Sequence, residues 1–224
     1  MRKILITTAA IMFASANAFA ASLSDLSFGV SGTAFYYDAS GTETTKSSGQ
    51  TADSSETGVA PMASIFAETE TAAGVIVGLE LMPYSAKVGS GAMNADDDAE
   101  TSGTNSVDVN FKNHITLYAE YPNDLTDGGF YKAGIHRVTV ETDDTLSTGS
   151  KYGDEELMGL MLGVGKKGDM ANGGYYKIAA EVSYYGSETF EAATGGNATG
   201  DGSVFNKVEL DDLYTAGIKF SVGF

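Results

Sequence analysis

Hydrophobic and polar residues alternate one by one along much of this chain, in short runs separated by turn-forming residues. Residues 107–121, VDVNFKNHITLYAEY, show the pattern most clearly. Val107, Val109, Phe111, Ile115, Leu117, Ala119 and Tyr121 hold odd positions, while Asp108, Asn110, Lys112, His114, Thr116, Tyr118 and Glu120 hold even ones. Side chains of a strand point alternately to its two faces, so this segment reads as a strand with one apolar and one polar face. Asn113 is the exception in the apolar set. Comparable runs lie near 25–38, 59–69, 73–82, 130–140, 157–166, 175–185 and 214–224. In the first of them Leu26, Phe28, Val30, Ala34 and Tyr36 oppose Ser27, Ser31 and Thr33. No helical period of 3.6 appears after residue 20.

The connections between these eight strands alternate in length. Long polar stretches rich in Gly, Ser, Thr and Asp cover 39–58, 87–106, 141–156 and 186–206, and short ones cover 70–72, 122–129 and 167–174. An up-and-down meander with that alternation carries all its long loops at one end and all its tight turns at the other. Eight such strands close into a barrel of either polarity: a soluble one with an apolar interior, or a membrane one with an apolar exterior and a polar lumen. Period alone does not choose between them.

Three features favour the membrane polarity. Aromatic residues gather at strand ends (Tyr36 and Tyr37, Tyr118 and Tyr121, Phe130 and Tyr131, Tyr175 and Tyr176, Tyr184 and Tyr185), as interfacial girdles do. The polar face mixes Glu80, Lys112, His114, Glu120, Lys132, Lys177, Glu181 and Lys219 with small residues, many of them glycine, which suits a narrow lumen. The third feature is the ending YTAGIKFSVGF, in which Tyr214, Ala216, Ile218, Phe220, Val222 and Phe224 share one face. It resembles the C-terminal assembly signature of bacterial outer-membrane barrels. With that ending, the alternating loop lengths and the opening segment, residues 21–224 resemble the small eight-stranded surface barrels of the opacity-protein, OmpA-transmembrane and OmpX-like kind.

The resemblance implies an all-β, eight-stranded antiparallel up-and-down transmembrane β-barrel in the outer membrane. It implies a monomer that meets lipid and lipopolysaccharide and is inserted by the barrel-assembly machinery, with Tyr214, Phe220 and Phe224 as the assembly signal. On this polarity Arg137, in phase with Tyr131, Ala133 and Ile135, would face lipid. A bulge at His136 and Arg137 is expected to turn it into the lumen and send Val138 and Val140 outward.

The first 20 residues, MRKILITTAAIMFASANAFA, have the order of a secretory signal peptide: Arg2 and Lys3, a short apolar core, then Ala18-Phe19-Ala20. The expected domains are a signal at 1–20 and a barrel at 21–224. Net charge is −17 for the 224 residues; losing the two basic residues of the signal makes it −19. So acidic a chain does not suit nucleic acid, and with no cysteine it has neither disulfides nor thiolate metal sites.

Candidate chemistry is sparse. His114 and His136 are the only histidines, and a hydrolase would need a hydroxyl beside one of them, such as Thr116 near His114. A histidine held in a lumen hydrogen-bond network is the plainer reading. Opposite charges fall at similar depth, Glu120 with Lys132 and Glu181 with Lys219, as buried charges require. The acidic runs at 95–100, 141–144 and 153–156 match no calcium-loop spacing. The expectation is therefore no catalysis, no cofactor and no metal. The expected function is a surface role, with long acidic loops facing an extracellular ligand, phage or cell-surface partner. A narrow channel for small cations is the alternative, and a lipid-modifying enzyme the remote one.

Overall fold

The computed structural model describes residues 26–45, 51–95, 103–145, 150–194 and 204–224. The expected signal peptide, the middles of the four long connections and most of the acidic run at 95–100 lie outside these residues. The described chain is one antiparallel sheet of eleven strands: β1 (Leu26–Thr45), β2 (Thr51–Glu70), β3 (Ile76–Leu81), β4 (Ala86–Ala95), β5 (Gly103–Pro122), β6 (Gly129–Thr145), β7 (Ser150–Lys151), β8 (Glu155–Asp169), β9 (Tyr175–Tyr185), β10 (Glu188–Thr194) and β11 (Val204–Gly223). The eight strands β1, β2, β3, β5, β6, β8, β9 and β11 follow one another round a ring, and β11 pairs back onto β1. The sheet therefore closes without an edge, as an eight-stranded up-and-down barrel. β4 and β10 prolong β3 and β9 after short breaks, pairing with β5 and β11 respectively.

Tight turns join the strands at one end. In the first, Thr71 N–H donates to Val75 O at 2.8 Å and Gly74, at φ 76°, donates to Thr71 O. At this end Phe224 also exchanges backbone hydrogen bonds with Phe28, at 2.9 and 3.1 Å, so the last residue helps to close the ring.

The other end extends farther than the alternation indicated. β1, β2, β5 and β11 are each 20 residues long, about 66 Å of extended chain, where about 9–11 residues cross a bilayer. Much of 39–58, 87–106, 141–156 and 186–206, expected as loop, is strand. These segments are Thr-, Ser- and Gly-rich and stand in water on their outer side, so they lack the apolar face that marks a membrane strand.

Polarity inverts along the barrel. In the half next to the turns the outward residues are apolar: Phe28, Val30, Ile65, Leu79, Leu162, Ile178, Val182, Ile218 and Phe220 are between 43% and 64% exposed. Inward residues there are mostly polar or charged, with Phe66, Phe130, Met161 and Ala179 buried among them. Farther up, Phe35, Tyr37, Ala60, Met82, Ala86, Val88, Phe111, Val138, Val140, Leu157, Tyr185, Phe190 and Leu213 fill the interior as one apolar cluster. The outer face at that height carries charges, among them Asp38, Lys112, Arg137 and Glu156. The lower half is built for hydrocarbon outside, and the upper half for water outside.

A bulge marks the change on β5. The β5–β6 register shifts between Lys112 and Ile115, and Asn113 lies in the left-handed region at φ 51°. Two residues, Asn113 and His114, therefore oppose Val138 alone, and the face of β5 flips at this point. Below the bulge Ile115, Leu117 and Ala119 face outward, as expected. Above it Phe111 is buried and Val109 packs on the apolar cluster, so these two do not face lipid; the side chain of Val107 lies outside those described. Lys112, expected in the lumen, faces outward and pairs with Glu141 at 2.9 Å. The bulge expected on β6 is absent, so Arg137 also stands outside, half-exposed against Glu156, while Val138 and Val140 point inward. β6 needs no bulge, because its inward side changes from Lys132 and His136 to valine where the interior turns apolar.

Asparagine tolerates the left-handed region better than most non-glycine residues. Asn113→Ala is expected to lower stability by about 1 kcal/mol and Asn113→Gly by no more than a few tenths, read from urea unfolding of the barrel in lipid vesicles. Equal losses would contradict a bulge held by that conformation.

Candidate functional site

The barrel interior holds the chemistry, and seven of the nine expected lumen residues are in it: Glu80, His114, Glu120, Lys132, Lys177, Glu181 and Lys219. Lys112 and Arg137 are the two outside. The seven come from five strands whose inward phase is set by the outward apolar alternation. Sequence reasoning missed Glu68 on β2, which is 3% exposed. Its signal was available: Ile65, Ala67 and Thr69 alternate with Phe66 and Glu68, but small residues blur that strand.

The charges form a single chain of alternating sign. Lys177 Nζ lies 2.7 Å from both oxygens of Glu68 and 2.6 Å from Glu120 Oε2. Lys132 Nζ lies 3.9 Å from Glu120 Oε1 and 2.8 Å from Glu181 Oε1. Lys219 Nζ lies 3.0 Å from Glu181 Oε2 and 2.9 Å from both oxygens of Glu80. The order is thus Glu68, Lys177, Glu120, Lys132, Glu181, Lys219, Glu80. A carboxylate stands at each end and every internal charge has a counter-charge on both sides.

The terminal carboxylates are completed by hydroxyls. Glu68 accepts from Tyr118 at 2.6 Å and Tyr175 at 2.7 Å; Glu80 accepts from Ser31 at 3.1 Å and from Ser64. Lys132 also sits 4.1 Å from the Tyr118 ring centroid, a cation–π contact. Glycine makes room for these rings. A Cβ on Gly78 would lie 2.2 Å from Tyr118 Cζ, and one on Gly223 would lie 2.3 Å from Tyr175 Cζ. The glycine-rich inner face is therefore a set of notches that seat aromatic rings of neighbouring strands.

Above the charges lies a neutral polar layer. The rings of His114 and His136 are 4.9 Å apart between centroids. Nδ1 of His136 is 2.8 Å from Thr116 Oγ1, its Nε2 is 2.9 Å from Ser183 Oγ, and Nε2 of His114 is 3.1 Å from the Tyr185 hydroxyl. Thr116 thus partners His136 and not His114, the histidine that sequence reasoning set beside it. His114, His136, Ser183 and Tyr185 line a cavity of about 30 Å³ roofed by Phe35, Met62 and Phe111, room for a water molecule or two. Above it the apolar cluster fills the interior. Among the described residues no three His, Cys, Asp or Glu side chains converge as metal ligands.

Truncating Lys177 leaves Glu68 and Glu120 buried without their ammonium. Lys177→Ala is expected to cost about 3–5 kcal/mol, and adding Glu68→Gln and Glu120→Gln to Lys177→Met should recover most of that. Thermal unfolding followed by heat-modified electrophoretic mobility reads both; additive losses in the combined variant would contradict a coupled chain.

No family model matches the chain, and no curated protein matches it. Solved structures do. The crystal structure of the outer membrane protein OprG from Pseudomonas aeruginosa aligns over 88% of this chain and 95% of that one, at 15% identity and a TM-score of 0.54. The outer membrane protein AlkL, solved in DMPC bilayers, aligns over 88% and 90% at 15% identity and a TM-score of 0.44. Neisserial surface protein A aligns over 86% and 95% at 13% identity and 0.38. Ring closure, an outward apolar band and the likeness to OprG together give the chain the fold of a small outer-membrane β-barrel.

Proposed function

We propose that this protein is an outer-membrane surface barrel that conducts no solute and acts as a stalk, holding acidic connections outside the cell for contact with an extracellular partner. The observation that carries the reading is a lumen closed twice: below by an ion chain of four carboxylates and three ammoniums in which each charge touches a counter-charge, and above by a packed apolar cluster. An ion crossing the lumen would have to break pairs already made at 2.6–3.0 Å, in a medium where unpaired charge is costly. In this reading the His136–Ser183 contact holds the wall and performs no chemistry. The strands extend about 25 Å beyond a hydrocarbon layer of similar thickness, which raises the connections well clear of the lipid. Their carboxylates, with Asp38, Asp53, Glu56 and Asp211 on the sheet beneath, favour cationic or cation-bridged partners.

Planar bilayers containing the purified barrel are expected to show a flat current baseline. Reproducible cation-selective steps would replace the stalk by the narrow channel.

A second reading rests on a different observation. β2 pairs with β3 only from Ile65 to Glu70, and among the described residues no ladder joins Thr51–Ser64 of β2 to β4. Behind that seam lie Ala60, Met62, Met82, Ala86 and Val88 of the apolar cluster. The lower part of the seam carries Val59, Pro61 and Ala63 on the outer face of β2, continuous with the apolar band, and a small apolar molecule entering from outside would find there a side exit to lipid. Uptake of an apolar fluorescent dye by vesicle-embedded protein, reduced several-fold by Ala60→Phe, is the expected outcome for this reading; uptake equal to that of empty vesicles rules it out.

A further inference from the structure

The outer face of the barrel is not uniform around its circumference. On β1 the outward apolar residues run from Leu26 to Tyr36 and on β11 from Tyr214 to Phe224, about 25 Å measured along the barrel axis. On β6 they run only from Tyr131 to Ile135, about 10 Å. Arg137 stands at the upper edge of this short stretch, directly across from Ile115 on β5 and Met158 on β8. Lys112 follows one step higher on β5, across from the outward-facing Thr139.

Among the described side chains the outward-facing basic residues above the apolar band are Lys87, Lys112 and Arg137, on the neighbouring strands β4, β5 and β6. β1 and β11 carry Asp38 and Asp212 at the corresponding rim. Lys112 is there because of the bulge at Asn113; a regular β5 would place it in the lumen. Lys112 lies directly across from Thr139, and Arg137 two residues before Thr139 on β6, so Lys112 and Arg137 are diagonal neighbours, a Cα spacing of about 7–8 Å in a regular ladder, with Thr139 adjacent to both. A phosphate group matches that spacing and donor set. Both cations stay accessible, with side chains 43% and 50% exposed, and their partners Glu141 and Glu156 are 30% and 55% exposed.

We infer that Lys112, Arg137 and Thr139 form a docking site for a headgroup phosphate of the outer-leaflet lipid, the phosphorylated glycolipid of lipopolysaccharide. Where a hydrophobic belt is short, the lipid thins and its headgroups descend, so the phosphates are drawn to the height of Arg137. Glu141 and Glu156 hold the cations in place and compete with the phosphate for them.

The test uses the full barrel, folded in detergent and then exposed to lipopolysaccharide, with the retained lipid measured after repurification. Wild type is expected to retain it and to lose at least five-fold on Lys112→Ala with Arg137→Ala. The loss should be similar when wild type is given lipid stripped of its phosphates. Lys166→Ala with Lys167→Ala, at the opposite end, should retain as wild type does. Glu141→Gln with Glu156→Gln, which frees the cations, should increase retention several-fold, and this arm reads the site even if the cation variants fold poorly. Retention that ignores the phosphates, or a double carboxylate variant no better than wild type, overturns the site. So does a wild-type dimer split by the cation variants with lipid retention unchanged, which would make the patch a contact between two copies.

Discussion

The hydrocarbon layer ends before the strands do, and the rest of the structure follows from that mismatch. A closed sheet has only two faces, so where the outside changes from lipid to water the inside changes in the opposite sense. Below the boundary most large apolar residues are turned to lipid, and the polar groups left in the interior must satisfy one another. Above it water takes the outer face, and the apolar residues turn inward as in a soluble barrel. The two polarities that one alternating pattern allows are stacked in a single molecule. The bulge at Asn113 is one device that joins them, since it lets β5 change phase without leaving the ladder.

Pairing governs the lower interior. Seven charges packed beneath a neutral polar layer are tolerable only because each has a counter-charge at contact distance and the remaining lone pairs accept hydroxyls. Alternation of sign along the chain means that no residue is optional without its neighbours. The arrangement also ties strands that are far apart in sequence: Lys177 on β9 holds β2 and β5 together, and Lys219 on β11 reaches β3. A wall that is hydrogen-bonded only between neighbours thereby gains struts across its diameter.

Much of this was legible in the sequence, for a stated reason. Alternation is strongest where one face meets hydrocarbon, so the eight strands, the closed antiparallel order and the lumen positions of Glu120, Lys132, Lys177 and Lys219 could be read directly. The extensions of β1, β2, β5 and β11 could not, because Thr, Ser and Gly in water show no contrast between faces and pass for loop. Lys112 was misplaced because one left-handed asparagine shifts the phase of everything above it, a backbone event with only Asn113 itself as a sign. Arg137 was misplaced for the converse reason: a bulge was expected to remove a charge from lipid, when the lipid had already ended. Glu68 was overlooked because its strand carries Ala and Thr on the outside in place of larger residues.

The glycine notches have a consequence for how such a chain can diverge. Gly78 and Tyr118, or Gly223 and Tyr175, occupy one volume between two residues, so neither member of a pair is free to change alone. A methyl group on the glycine collides with the ring, and loss of the ring opens a void above the glycine and removes the hydroxyl that Glu68 accepts. Related chains should therefore exchange these positions together, as coupled pairs in neighbouring strands. Such pairs would carry the history of this barrel after its lipid-facing residues, interchangeable among any apolar side chains, had lost it.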